Sequence, residues 1–161
     1  GIKIVSARKV RADGSDLYPD YQGAFDRVLI DAPCSGTGTW RRNPETKWRL
    51  TAETLQHNVD RQAKIMKRAA DLVKPGGRLI YATCSVLDCE GADQIHAFLS
   101  LQPDFSVLPV SEIWSGADAG SDFLKLSPHS NGTDGFFVAV LARSDQEPHE
   151  EHEMPPPDQD E

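Results

Sequence analysis

Two short, mostly apolar stretches stand out along the chain: Phe25-Asp26-Arg27-Val28-Leu29-Ile30, and Arg78-Leu79-Ile80-Tyr81-Ala82-Thr83. Their length and β-branched or aromatic content predict strands that are mostly buried. Pro33 stops the first, because proline has no N–H to continue a ladder. Between them the period changes. Leu55, Val59, Gln62, Met66, Ala69 and Val73 recur at spacings of four and three, which predicts a helix from about Thr51 to Lys74 with one largely apolar stripe. Thr51 suits the amino-terminal cap, and Pro75-Gly76-Gly77 suits the stop. Strand, helix, strand in this order predicts a parallel pair joined by a right-handed crossover.

Further along, Ala92 to Leu101 has the spacing of a shorter helix with Ile95, Phe98 and Leu99 inward, and Phe105 to Val110 reads as a strand. Gly135 to Leu141 is a clearer strand, and the preceding Thr133-Asp134-Gly135 resembles the turn that starts a hairpin. Residues 2–12 form a short β-like stretch ending near Ala12-Asp13-Gly14.

The 161 residues suffice for one domain with a real core. The formal charge of −8 argues against a nucleic-acid partner until its distribution is read. Residues 1–90 carry a net +4, and residues 91–161 a net −12. Much of the acid lies in residues 144–161, a Pro-rich stretch without aliphatic periodicity, which is expected to be a disordered tail following a domain of residues 1–143. His149 and His152 within it are a weak metal signal. Arg41, Arg42, Lys47 and Arg49 interleave with Trp40 and Trp48, and the first three lie in the loop after the first strand. They are the candidate phosphate contacts, whereas Arg61, Lys64, Lys67 and Arg68 fit a solvated helix face.

Cys34, Cys84 and Cys89 are odd in number and lack disulfide-framework spacing. With no apolar run near eighteen residues and no signal peptide, a reducing, cytoplasmic setting without membrane contact is expected. Cys34 and Cys84 each follow a predicted strand directly. In an open α/β sheet the carboxyl ends of parallel strands face the ligand crevice, so these two thiols and Asp31 form a candidate reaction centre. A thiolate is a strong carbon nucleophile. Added to C6 of cytosine, it makes C5 electron-rich enough to accept an electrophilic methyl group; the C5 proton and the thiol must then leave. A second thiol can assist that release, and an acid on the N3/N4 edge can stabilise the adduct.

At these residues the chain resembles the Sun-type (RsmB-like) RNA cytosine-5 methyltransferases, specifically the carboxyl-terminal half of their catalytic domain. The resemblance rests on Phe25-Asp26-Arg27-Val28-Leu29-Ile30-Asp31-Ala32-Pro33-Cys34-Ser35-Gly36-Thr37-Gly38, Arg42-Asn43-Pro44 with Lys47-Trp48, and Val73-Lys74-Pro75-Gly76-Gly77. It continues through Tyr81-Ala82-Thr83-Cys84-Ser85 and Asp134-Gly135-Phe136-Phe137, in the family's order and spacing. It implies a doubly wound α/β (Rossmann-like) sheet with an antiparallel last strand, S-adenosyl-L-methionine as methyl donor, and RNA, ribosomal RNA above all, as substrate. It also implies that Cys84 attacks C6, that Cys34 helps release the product, and that Asp31 and Pro33 lie beside base and methyl donor. Asp13 matches an acidic position near the donor's adenine. DNA cytosine-5 methyltransferases carry their nucleophile in a Pro-Cys element, which Pro33-Cys34 also fits; the Thr83-Cys84-Ser85 context favours the RNA assignment.

The chain departs from the family in two places. The Gly-Gly-Lys cofactor loop and its strand are not in it, so a missing amino-terminal half is an expected partner and the chain alone is expected to be nearly inactive. Exposed sheet edges would then invite self-association. After Cys84 the chain reads Leu87-Asp88-Cys89-Glu90-Gly91, where the family more often has Pro and a Glu-Asn pair; Glu90 rather than Cys89 is expected to keep the local role. Two rivals remain: a non-catalytic RNA-binding remnant, and a cysteine hydrolase, for which His57 and His96 are the core-region candidate bases.

Overall fold

Strand β2 (Val73–Thr83) is the spine of the sheet, pairing in parallel with β1 (Phe25–Asp31) on one side and antiparallel with β5 (Phe136–Arg143) on the other. The computed structural model describes residues 4–7, 9, 21–116 and 120–145. On its far side β5 pairs antiparallel with two short strands, β3 (Phe105–Val107) towards its end and β4 (Leu124–Leu126) towards its start. The result is a mixed five-stranded α/β sheet of order β1-β2-β5-β3 with an antiparallel last strand, as expected. Asp13 and residues 146–161 lie outside the described residues; residues 4–7 and 9, the described part of the first β-like stretch, carry no strand.

Helices α2 (Ala52–Ala70) and α3 (Ala92–Leu101) cover the sheet, with α1 (Thr46–Arg49), α4 (Val110–Ile113) and α5 (Pro128–Asn131) as single turns in the connections. The start of α2 is capped twice over: Thr51 Oγ1 accepts from Thr54 N–H at 3.1 Å, and Thr54 Oγ1 accepts from Thr51 N–H at 3.0 Å. Gln62, Met66, Ala69 and Ala70 are the buried face of α2, and Ile95 and Phe98 are that of α3. They close over Val73, Leu79, Tyr81, Ala139 and Leu141 of the sheet, and Phe98 meets Phe105 edge-on at 5.3 Å. At roughly 1.5–3 kcal/mol for each large apolar side chain buried, this cluster is the main source of stability. Among the described residues no helix is long and apolar enough to cross a membrane.

Three expectations are corrected, and the first is short: β3 stops at Val107 instead of Val110, which opens α4. The helix does not run to Lys74; it ends at Ala70, and β2 begins at Val73, not Arg78. The carbonyls of Asp71 and Leu72 accept from Gly23 and Phe25 N–H, so β1 captures this backbone before another helical turn forms. Pro75 and Gly76 are absorbed where the pairing of β1 with β2 shifts between Phe25 and Arg27, with Gly76 at φ +71°. Nor is β1 mostly buried: Ile30 alone is, while Leu29 is 69% exposed. Among the described residues β1 is an edge strand, and Arg27, Leu29 and Asp31 on one of its faces are exposed.

Candidate active site

Parallel pairing of β1 with β2 sets Asp31 opposite Ala82, and the ladder runs one step further through Ala32 N–H to Ala82 O at 2.9 Å. Both chains leave the sheet at the same end. This brings the Cys34 and Cys84 Sγ atoms to 3.4 Å, within hydrogen-bond range for sulfur. The two thiols that fifty residues separate in sequence form one group. Cys89 stays outside it, and among the described residues no histidine hydrogen-bonds either thiol, which removes the base a cysteine hydrolase needs.

Cys34 hangs between two fixed points. The carbonyl of Pro33, just before it, accepts from Gln62 Nε2 at 2.9 Å, and the N–H of Ser35, just after it, donates to Glu90 Oε1 at 2.9 Å. The two anchors are joined, with Gln62 Nε2 also donating to Glu90 Oε1 at 3.1 Å, and Ser35 Oγ donates to Glu90 Oε2. Glu90 and Gln62 are fully buried. A buried carboxylate is tolerated only where donors satisfy it, and three converge here. Tyr81 ties the backbone of this element to β2 by donating from its hydroxyl to Glu90 O at 2.9 Å.

The Cys84 side is held by hydroxyls. Ser85 Oγ and Thr37 Oγ1 are 3.0 Å apart; Thr37 Oγ1 accepts from Val86 N–H at 3.0 Å, and Ser85 Oγ accepts from Leu87 N–H at 3.1 Å. Gly36, at φ +69°, turns the chain into a short 3-10 turn, Thr37–Thr39. Gly38 N–H then donates to Cys84 O at 2.9 Å, and Gly38 O accepts from Gly135 N–H at 2.8 Å. A Cβ on Gly38 would stand 2.2 Å from the Gly135 carbonyl oxygen, so no other residue fits that contact.

Burial pushes the Cys34 thiol up from 9.0 to about 12, with its contact to Cys84 and the Glu90 charge adding to the rise against a lowering bond from Gly36. Cys34 is therefore a neutral thiol at physiological pH. Burial also raises Cys89 and Tyr81.

Of the other candidates, Asp31 is exposed at the end of β1, without a hydrogen-bond or ion-pair partner among the described residues, and Pro33 lies at the thiol group. Arg41 and Arg42 share one carboxylate, Asp134 just before β5, at 3.3 and 2.6 Å. Lys47 has no ion partner among the described residues; its Nζ stands 5.8 Å from the ring centroids of both Trp40 and Trp48. Gln62, Ser35, Thr37 and Ser85 escaped the sequence reading. Gln62 alone had left a signal, as the single polar residue in the apolar stripe of α2.

A thiol pair at the ends of two adjacent parallel strands, braced by a buried carboxylate, can be compared directly with known proteins. The profile of the "16S rRNA methyltransferase RsmB/F" family matches residues 1–142. The chain belongs to this family. Ribosomal RNA small subunit methyltransferase B of Salmonella typhi is 43% identical over 145 residues, covering 88% of this chain and 32% of that protein. Its counterpart from Shewanella oneidensis is 36% identical over 141 residues, covering 87% and 32%. The chain thus spans about a third of the length of these RsmB relatives. The crystal structure of PH0851 superposes with a TM-score of 0.69 at 39% identity, over 74% of this chain and 27% of that one. The RsmB/F fold accounts for the mixed sheet.

Proposed function

We propose that this chain is the cysteine-bearing part of an S-adenosylmethionine-dependent RNA cytosine-C5 methyltransferase, acting on ribosomal RNA in the cytoplasm. On this reading residues 1–143 are part of the catalytic domain, completed by an amino-terminal half, and residues 144–161 are an appended acidic segment. The observation that carries it is the 3.4 Å thiol pair with unequal surroundings: Cys34 is held at both flanks and protonated, and Cys84 is beside it on the adjacent strand end. Membership of an RNA methyltransferase family supplies the reaction class.

Once deprotonated, Cys84 Sγ bonds to C6 of a flipped-out cytosine, and the C5=C6 pair moves to C5. S-adenosylmethionine, when bound, supplies the electrophilic methyl group to C5. The exposed carboxylate of Asp31, with no partner among the described residues, fits a position beside a cationic donor and the N3/N4 edge of the base, and Pro33 fits the wall next to it. Asp13 would serve the donor's adenine end. Loss of the C5 proton to a base restores the C5=C6 bond and expels Cys84. Cys34, neutral and in contact with the outgoing sulfur, hydrogen-bonds it and lowers the cost of that expulsion. Arg41, Arg42 and Lys47 contact RNA phosphates around the target.

The test uses the full-length protein with its RNA and S-adenosylmethionine. Cys84→Ala is expected to abolish both methylation and adduct. Cys34→Ala should accumulate an RNase-sensitive protein–RNA adduct on denaturing gels. An adduct in Cys84→Ala and none in Cys34→Ala would reverse the two roles and sink the proposal.

A further inference from the structure

Trp48 is 83% exposed, the most exposed aromatic side chain among the described residues. Large aromatic groups left in water on a polar surface point to a ligand with an apolar face. Its surroundings narrow the class. Trp48 sits on the single turn α1 in the segment that continues directly from the thiol loop, and that segment is pinned to the site by the Gly38 contacts to Cys84 and Gly135. Lys47 Nζ stands 5.8 Å from the Trp48 and Trp40 ring centroids. Neither Lys47 nor Arg49 has an acidic partner among the described residues, in contrast to Arg41 and Arg42, which share the Asp134 carboxylate. An exposed indole with an unpaired ammonium beside it, and a second unpaired cation next in the chain, complements a planar ring joined to an anion, which describes a nucleotide.

We infer that Trp48 is a base-stacking platform for an unpaired nucleotide flanking the target, with Lys47 and Arg49 on the adjoining phosphates. The inference rests on the RNA reading above and adds a binding subsite to it. A reaction at C5 requires the cytosine to leave its stack, and its neighbour loses a stacking partner when that happens. An indole ring offers a replacement face that accepts any base, so this subsite adds affinity without adding sequence preference.

The experiment titrates the full-length protein with a short unstructured cytidine-containing RNA, followed by anisotropy of a label on the RNA, at several salt concentrations. Trp48→Ala is expected to weaken binding roughly five- to a hundred-fold, with the salt slope unchanged, and Trp48→Phe to recover most of the loss. Lys47→Ala is expected to lower the slope by about 0.7. An RNA with an abasic residue next to the target cytidine should bind wild type and Trp48→Ala alike. Wild-type affinity in Trp48→Ala, or a penalty that persists with the abasic RNA, would overturn the platform while leaving the RNA reading intact. Absence of RNA binding by the wild-type full-length protein would refute the RNA reading itself, and the platform with it. Thermal unfolding of each variant controls for folding, and this exposed ring should leave the midpoint in place.

Discussion

Glu90 is the best place to test how the site is held. Replacing it with alanine removes the acceptor for Ser35 N–H, Ser35 Oγ and Gln62 Nε2 in a fully buried position. Hydrogen bonds to a charged group contribute about 1.5–3 kcal/mol each, so three naively sum to well above what single substitutions cost. Water entering the vacated space restores part of this, and the expected loss is about 3–5 kcal/mol. Glu90→Gln is the informative partner. Its Oε1 keeps the bonds from Ser35 N–H and Gln62, and Ser35 Oγ can turn to accept from the new amide, so the loss should be about 1–2 kcal/mol. Urea unfolding with a common slope measures both. The second readout is chemical: removing a negative charge near Cys34 lowers its pKa, so the alkylation profile of Cys34, followed by mass spectrometry of its peptide, should move to lower pH in Glu90→Gln. Equal stability loss in the two variants would show that the carboxylate does not brace the loop, and an unmoved profile would show that it does not act on the thiol.

The pH dependence of the wild type has a definite sign. Folding raises the Cys34 pKa from 9.0 to about 12, so the neutral thiol stabilises the fold below pH 9, and that contribution is lost as pH climbs from 9 towards 12; alkylation of Cys34 near pH 8 should be much slower than in the urea-unfolded chain. Gly38→Ala should cost about 3 kcal/mol or more, because the new Cβ meets backbone, the Gly135 carbonyl, which cannot rotate away; equilibrium unfolding decides it. Asp134→Asn frees Arg41 and Arg42 at little cost in stability, roughly 0–1 kcal/mol for exposed pairs. In anisotropy titrations it should tighten RNA binding and steepen its salt dependence. Charge reversal at Arg41 and Arg42 should weaken binding and flatten that dependence, and unchanged binding would remove both from the RNA surface.

The sequence pattern carried the long-range architecture well where local rules agree with burial. Helix α3 has the expected limits, and α2 has the expected cap, because Thr51 and the apolar stripe point the same way. The end of α2 was misjudged because the chain around Asp71 and Leu72 obeys a tertiary demand, pairing with Gly23 and Phe25, that no local signal records. The strand β1 reads as buried from composition alone, since an edge strand and a central strand can share the same residues. At the site, motif and strand-end logic found both thiols. Of the brace, Glu90 was legible through the family resemblance and Gln62 through its place in an apolar stripe, but their joining with Ser35 was not, because a buried Gln–Glu–Ser network looks in sequence like three scattered polar residues. The short β4 is held by its pairing with β5, α5 by its Ser127 cap, and α4 by backbone bonds from Val110 and Ser111 to Asp122 and Ser121, all beyond the reach of periodicity.

The backbone contact between Gly38 and Gly135 joins points about 97 residues apart in the chain. Both cysteines are synthesised long before Gly135, yet the loop that presents Cys34 is stitched to β5 only when that strand arrives. Closing so long a separation costs chain entropy that only the finished sheet repays. A chain lacking Gly135 would keep the β1–β2 pairing that brings the two thiols together but lose this tie on the loop that presents Cys34. The last strand therefore fixes the loop, while the first two fix the pair.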